Sequence, residues 1–245
     1  MNGLTPYITQ DKVPGDLQDL IIEIYSRDHA LNDCIPDALR EPLKCLLRIV
    51  NGYYSNKIEG NLALPSEILQ LQEGKAAQVP DADLLEIKQY LEVQRQIADG
   101  ELAREKVSTC ESLCAVHKAL YQDFPPTRRC MRYSSTRERV EVIAGAYREH
   151  EVKVGQHTPP AHNEIAHYLR WFEQAYQPDR THGLNRLLAA AGSHHRFTWI
   201  HPFLDGNGRV GRLFTDAYMQ QSGLSGYSFW SMSRGFARDR DAYYA

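Results

Sequence analysis

The chain has 245 residues, an apolar fraction of 42% and a formal net charge of −3 at pH 7. That length fits one large or two small domains with a sizeable core. The charge is near neutral and carries no basic block, so nucleic acid is not expected as a partner. No run of about 18 apolar residues and no leader-like start is present, so neither a membrane span nor export is expected. The five cysteines, Cys34, Cys45, Cys110, Cys114 and Cys130, lack paired spacing and read as buried free thiols in a reducing, cytoplasmic setting.

Residues 1–15 contain Pro6, Pro14 and Gly15 and read as an extended arm. Leu17, Leu20, Ile21, Ile24 and Tyr25 then recur at helical spacing over 16–32. Pro42 is placed to begin the next helix, whose apolar stripe is Leu43, Leu46, Leu47, Val50 and Tyr54. Ser55 and Glu59 fall on one face of it, and Gly60 can end it. A short helix opens at Leu64-Pro65, 74–80 is a loop, and an amphipathic helix runs over 81–99 to Gly100. Ser108 or Thr109 caps the following helix, in which His117 reads as a core or boundary residue, and Phe124-Pro125-Pro126 breaks it. Within 127–160, Val140, Val142 and Ile143 favour a strand, Gly145 breaks the run, and Val152 and Val154 alternate before Gly155, which suggests a short hairpin-like segment. Helices are expected over 163–176 and again from Leu184. His194 and His195 are adjacent, so they cannot share one helix face and do not read as a metal pair. The end of the chain, 238–245, reads as an unfinished helix of a longer protein, with Tyr243 and Tyr244.

The densest chemistry lies at His201-Pro202-Phe203-Leu204-Asp205-Gly206-Asn207-Gly208-Arg209, with Arg212 three further on. Val210, Leu213, Phe214, Ala217 and Tyr218 start a helical pattern there, and Gly223 stands where its C-cap would be. A glycine-rich turn entering a helix points several N–H groups one way, and the helix dipole adds positive charge, so phosphate fits. Arg209 and Arg212 share a face and can grip phosphate oxygens in forked geometry. Asp205 is a hard oxygen donor suited to Mg²⁺ shared with a phosphate chain. His201 is the side chain best suited to take a proton from an attacking hydroxyl near neutral pH.

This stretch resembles the Fic family motif, His-Pro-Phe-x-Asp-Gly-Asn-Gly-Arg-x-x-Arg, at every fixed position. The resemblance implies a mostly α protein: a Fic-type helical core over 101–245 with a short β-hairpin flap, and an N-terminal helical region over 1–100. It implies AMP transfer from ATP, with Mg²⁺, to a Ser, Thr or Tyr hydroxyl of a target protein, the chain itself included, in a monomer or a homo-oligomer. His201 would be the base, Asp205 the metal ligand, Gly206, Asn207 and Gly208 the anion hole, and Arg209 and Arg212 the phosphate grips. Phe203 would anchor the loop. Gly208 stands where kinase-like members carry lysine, which favours the AMP-transferring orientation.

Ser55 to Gly60 resembles the family's inhibitory motif, Ser/Thr-x-x-x-Glu-Gly/Asn, whose glutamate pairs with the second motif arginine. Here that implies Glu59 on Arg212, in the place of a γ-phosphate. Residues 145–155 resemble the flap, with Lys153 and Val154 beside the nucleotide and an open edge for a target segment. The resemblance also implies an aromatic residue of the last helix along the adenine, Tyr243 or Tyr244, with Tyr243 as the candidate. Two other functions use the same residues: removal of AMP by water oriented on Glu59, and a nucleotide-binding regulatory module with little catalysis.

Overall fold

The computed structural model describes residues 13–75, 82–103, 106–132 and 139–244. The extended arm expected over 1–15 lies almost wholly outside them, as does most of the 74–80 loop. The described residues are predominantly helical, as the motif pattern implies. No helix among them is long and apolar enough to cross a membrane.

Helix α1 (Gly15–Cys34) and helix α2 (Asp37–Ile58) open the structure. Pro36, not Pro42, precedes α2, and Pro42 lies inside it. Proline with φ near −60° suits the residue that leads into a helix, whereas at 42 it removes one backbone hydrogen bond. Glu59 closes α2 as its C-cap, and Gly60 follows at φ 93°. The Gly60 N–H bonds Lys57 O at 3.0 Å and the Asn61 N–H bonds Asn56 O at 3.1 Å, which is a Schellman closure. This cap fixes the direction in which Glu59 leaves the helix.

Helices α3 (Pro65–Gln72), α4 (Ala82–Ala98) and α5 (Cys110–Tyr121) follow, the last capped by Thr109, whose hydroxyl accepts from the Ser112 N–H at 3.1 Å. Strands β1 (Cys130–Arg132) and β2 (Arg139–Glu141) pair antiparallel, with Met131 opposite Val140. This pair lies upstream of the segment where the sequence suggests a flap hairpin. In 145–160 the pairing is a single bridge, Val154 to His157. That run is tied down by side chains, described below, rather than by a ladder. Helix α6 (Ile165–Ala175), helix α7 (Asn185–Ile200) and helix α8 (Asn207–Gln220) complete the centre, and two short helices, α9 (Met232–Arg238) and α10 (Arg240–Tyr244), end it.

Helix α8 is buried along nearly its whole length, and α2, α4, α5 and α7 surround it. Val210, Leu213, Phe214 and Tyr218 fill its inward faces, against Phe172 of α6 and Phe197 of α7. Each such buried side chain contributes about 1.5–3 kcal/mol. The first helices close onto the last. Asp28 of α1 accepts from the Gly226 N–H and the Trp230 Nε1–H, both at 2.8 Å, and α2 packs along α9. These contacts hold the end of α2 over the start of α8. Cys34, Cys45 and Cys130 are exposed and Cys110 and Cys114 half-buried, so the reading of all five thiols as buried is corrected. Cys34 and Cys45 on helices and Cys130 on β1 face outward, which spacing alone does not reveal.

Candidate active site

His201 ends α7 in the left-handed conformation, φ 50° and ψ 60°, and its N–H still bonds Phe197 O at 3.0 Å. A side-chain-bearing residue there is strained, and the strain turns the chain sharply into the loop. Phe203 plugs that loop into the core: it is fully buried and stacks on His117 at 4.0 Å. The Asn207 side chain closes the loop on both sides, accepting from the Phe203 N–H at 2.9 Å and donating to Phe203 O at 2.8 Å. Asn207 thus contributes to an anion site through its backbone, since its amide is spent on the loop.

Gly206 precedes α8 at φ 78°, and a Cβ there would lie 2.6 Å from the Tyr121 ring. Only glycine satisfies both constraints. The N–H groups of Asn207, Gly208 and Arg209 form the first turn of α8 and have no acceptor within it. The Arg209 guanidinium is buried, and its Nε and Nη1 have no hydrogen-bond partner. Unsatisfied buried donors of a cation are costly, and phosphate oxygens are suitable acceptors for them.

The end of α2 meets this turn. Arg212 is 1% exposed. It donates Nε to Ser55 Oγ at 2.7 Å, and Nη2 to Ser55 O at 3.0 Å and to Glu59 Oε1 at 2.6 Å. A Cβ on residue 208 would collide with Glu59 Oε1, so Gly208 lets the carboxylate lie on the first turn of α8. An acidic group is favoured there by the helix dipole. A cavity of about 1600 Å³ opens above, lined by Glu59, Gly208, His194, His201, Tyr243 and Val154 among others. Glu59 faces that cavity and Arg212 does not. Lys153 is exposed and outside the lining, so of the two flap candidates the structure brings only Val154 to the cavity.

Hydrogen-bond geometry settles several proton positions. His201 Nδ1 faces Thr198 O at 3.3 Å and must donate, which leaves Nε2 with a free lone pair. Burial holds the His201 ring neutral, lowering its pKa to about 4. His194 Nδ1 donates to Thr215 Oγ1 at 2.7 Å, because that hydroxyl gives its own proton to Gly211 O. His194 Nε2 then accepts from the Tyr243 hydroxyl at 2.9 Å, whose oxygen accepts from Arg212 Nη1 at 3.3 Å. Tyr243 therefore supports Arg212, with its ring stacked on Phe236 at 4.5 Å.

Two residues emerge that sequence reasoning missed. Arg148, 3% exposed, donates Nε to His201 O at 2.9 Å, Nη1 to His150 O at 3.0 Å and Nη2 to Pro160 O at 2.5 Å. It staples the 145–160 run to the loop at His201. Tyr121 at the end of α5 touches Asp205 and Arg209. Neither has a spacing signal, since both reach the motif loop across long sequence separations.

Buried His117 and His194, with the partly buried His201, predict acid sensitivity. Burial lowers His117 and His194, like His201, from 6.5 to about 4. Between about pH 6.5 and 4 the unfolded chain binds more protons than the folded one, so stability is complete above that window and falls as pH drops through it. Thermal unfolding followed at pH 7.5 and pH 5 should show a lower midpoint at pH 5. Equal midpoints would mean that these rings are not held neutral by the fold.

Residues 108–219, a little under half of the chain, match the Fic/DOC family. A protein adenylyltransferase Fic from Nematostella vectensis is 29% identical over 175 residues, covering 70% of this chain and 37% of that protein. Its counterpart in Drosophila persimilis is 24% identical and covered to 31%. The chain thus spans about a third of the length of these curated relatives. Among solved structures, a Fic family protein from Desulfovibrio desulfuricans G20 superposes with TM-score 0.72 at 20% identity, over 97% of this chain and 67% of that one. Fic-1 from C. elegans gives 0.64 at 17% identity, over 84% and 59%. These two likenesses concern the fold.

Proposed function

We propose that this chain is a protein AMP transferase that Glu59 holds inactive. In this reading 101–245 is the catalytic core and 1–100 a helical region that carries the inhibitory segment 55–60. The observation that carries it is the grip of Ser55 and Glu59 on Arg212, with Glu59 standing between that arginine and the cavity it lines. A carboxylate occupies the arginine that a terminal phosphate would need.

With Glu59 withdrawn, the α8 N-terminus and the two arginines receive the phosphate chain of ATP. A Ser, Thr or Tyr hydroxyl of a target protein attacks the α-phosphorus in line. Its proton goes to His201 Nε2, the bond from the α-phosphorus to the bridging oxygen breaks, and pyrophosphate leaves. The fixed N–H groups of Asn207 and Gly208 face developing negative charge without reorganising.

Asp205 fits a Mg²⁺ site of the shared kind. Its side chain is half-exposed at the mouth of the turn, and Oδ1 and Oδ2 each accept one bond, from the Gly206 N–H at 2.7 Å and the Tyr121 hydroxyl at 2.9 Å. Each oxygen keeps further lone-pair capacity. Among the described residues no cluster of three or more His, Cys, Asp or Glu could hold a metal unaided, which matches a cation bound by one carboxylate together with substrate phosphates. When bound, Mg²⁺ would neutralise phosphate charge. Asp205→Ala should therefore weaken Mg²⁺-dependent nucleotide binding and transfer together. An Mg²⁺ titration that matches the parent would remove Asp205 from this role.

The test of the reaction uses Glu59→Gly protein and ATP labelled on either the α- or the γ-phosphate. The α-label should enter protein and the γ-label should not. Entry of the γ-label, or of neither, would overturn the assignment.

A further inference from the structure

Asp205 and Arg209 are four residues apart at the start of α8, where opposite charges attract each other. Arg209 Nη2 lies 3.7 Å from Asp205 Oδ2, and a closure of about 0.9 Å would make a direct charge-assisted hydrogen bond at the usual ~2.8 Å. Such a bond would turn the carboxylate away from a cation and the guanidinium away from a phosphate.

The Tyr121 hydroxyl stands between them. It donates its single proton to Asp205 Oδ2 at 2.9 Å and accepts from Arg209 Nη2 at 2.7 Å. The guanidinium carbon sits 5.5 Å from the Tyr121 ring centroid, and the ring packs on Gly206. Tyr121 is 1% exposed and cannot swing away. One turn earlier on α5, His117 holds the other side of Asp205. Its Nδ1 accepts from the Gly145 N–H at 2.8 Å, so Nε2 must carry the proton directed at Asp205 O, 3.3 Å away. Glu86 Oε2 is 3.4 Å from Arg209 Nη1 without a hydrogen bond, so it does not replace the tyrosine.

We infer that Tyr121 is a positioning residue that keeps the metal-binding carboxylate and the phosphate-binding arginine apart, so that both remain available to the nucleotide. This rests on the reading of Asp205 and Arg209 given above.

The test is a double-mutant cycle in Glu59→Gly protein, with calorimetric titration of ATP in EDTA. Without metal, the readout is Arg209's access to phosphate. Tyr121→Phe should weaken ATP binding about tenfold when Asp205 is present, because the pair then closes. In an Asp205→Asn background, where no ion pair can form, the same change should cost less than about twofold. Equal losses in both backgrounds would show that Tyr121 acts only through packing, and no loss in either would show that it does nothing for the site. Both outcomes overturn the inference while leaving AMP transfer intact. A Glu59→Gly parent that binds no ATP would remove the functional reading and this inference with it. Unfolding midpoints of the four proteins, within a few degrees of each other, confirm that binding and not folding is compared.

Discussion

Replacing His201 with alanine should lower AMP transfer by about 10²–10⁴, the usual contribution of a positioned general base. ATP affinity should change little, because in the proposed reading the phosphates are held by the α8 N-terminus, Arg209 and Arg212. The geometry supports this separation. His201 Nδ1 is committed to Thr198 O, so Nε2 is the only ring nitrogen left for a substrate proton. The ring stays neutral to about pH 4, so transfer should hold level from pH 8 down to about pH 6 and fail only in acid. The measurement is single-turnover transfer in Glu59→Gly protein with and without the His201 change, beside calorimetric ATP affinity. Near-normal transfer by the alanine protein would remove His201 from the chemistry.

The sequence showed the motif site more completely than the parts that support it. The 201–212 stretch is local, so the order of its residues carries its geometry: a loop, a glycine turn and a helix N-terminus. The Ser55–Glu59 pair was legible for a similar reason, since i and i+4 on a helix must share a face. What they would face came from the family resemblance, and the structure places them on Arg212. Arg148 and Tyr121 were not legible. Each reaches the motif loop across a long stretch of chain, Arg148 at His201 and Tyr121 at Asp205 and Arg209, and a lone arginine or tyrosine carries no pattern. The valine alternation at 140–142 does mark a strand, β2, but its partner is β1, whereas the second run at 152–154 yields a single bridge from Val154 to His157 in place of a ladder. Histidine roles were understated. His117 reads as a core or boundary residue and is buried, yet its ring nitrogens also bond Gly145 and Asp205.

The second large effect belongs to Glu59. Its bond to Arg212 is charge-assisted and half-sheltered, with the Glu59 side chain 33% exposed and Arg212 fully covered. Hydrogen bonds to charged groups contribute roughly 1.5–3 kcal/mol, and each ~1.4 kcal/mol is a factor of ten. Glu59→Gly should thus raise transfer by about one to two orders of magnitude and tighten productive ATP binding. Arg212→Ala should not reproduce this, because it removes the partner of Glu59 and the partner of the terminal phosphate together.

The most direct measurement is the initial rate of AMP transfer by wild type, Glu59→Gly, Arg212→Ala and the double variant at fixed ATP and Mg²⁺, with folding checked for each. If Glu59 stands in for a phosphate on Arg212, Glu59→Gly is the fastest of the four and the double variant is as slow as Arg212→Ala. A Glu59→Gly protein no faster than wild type, or a double variant as fast as Glu59→Gly, would contradict the competition between the carboxylate and ATP for Arg212.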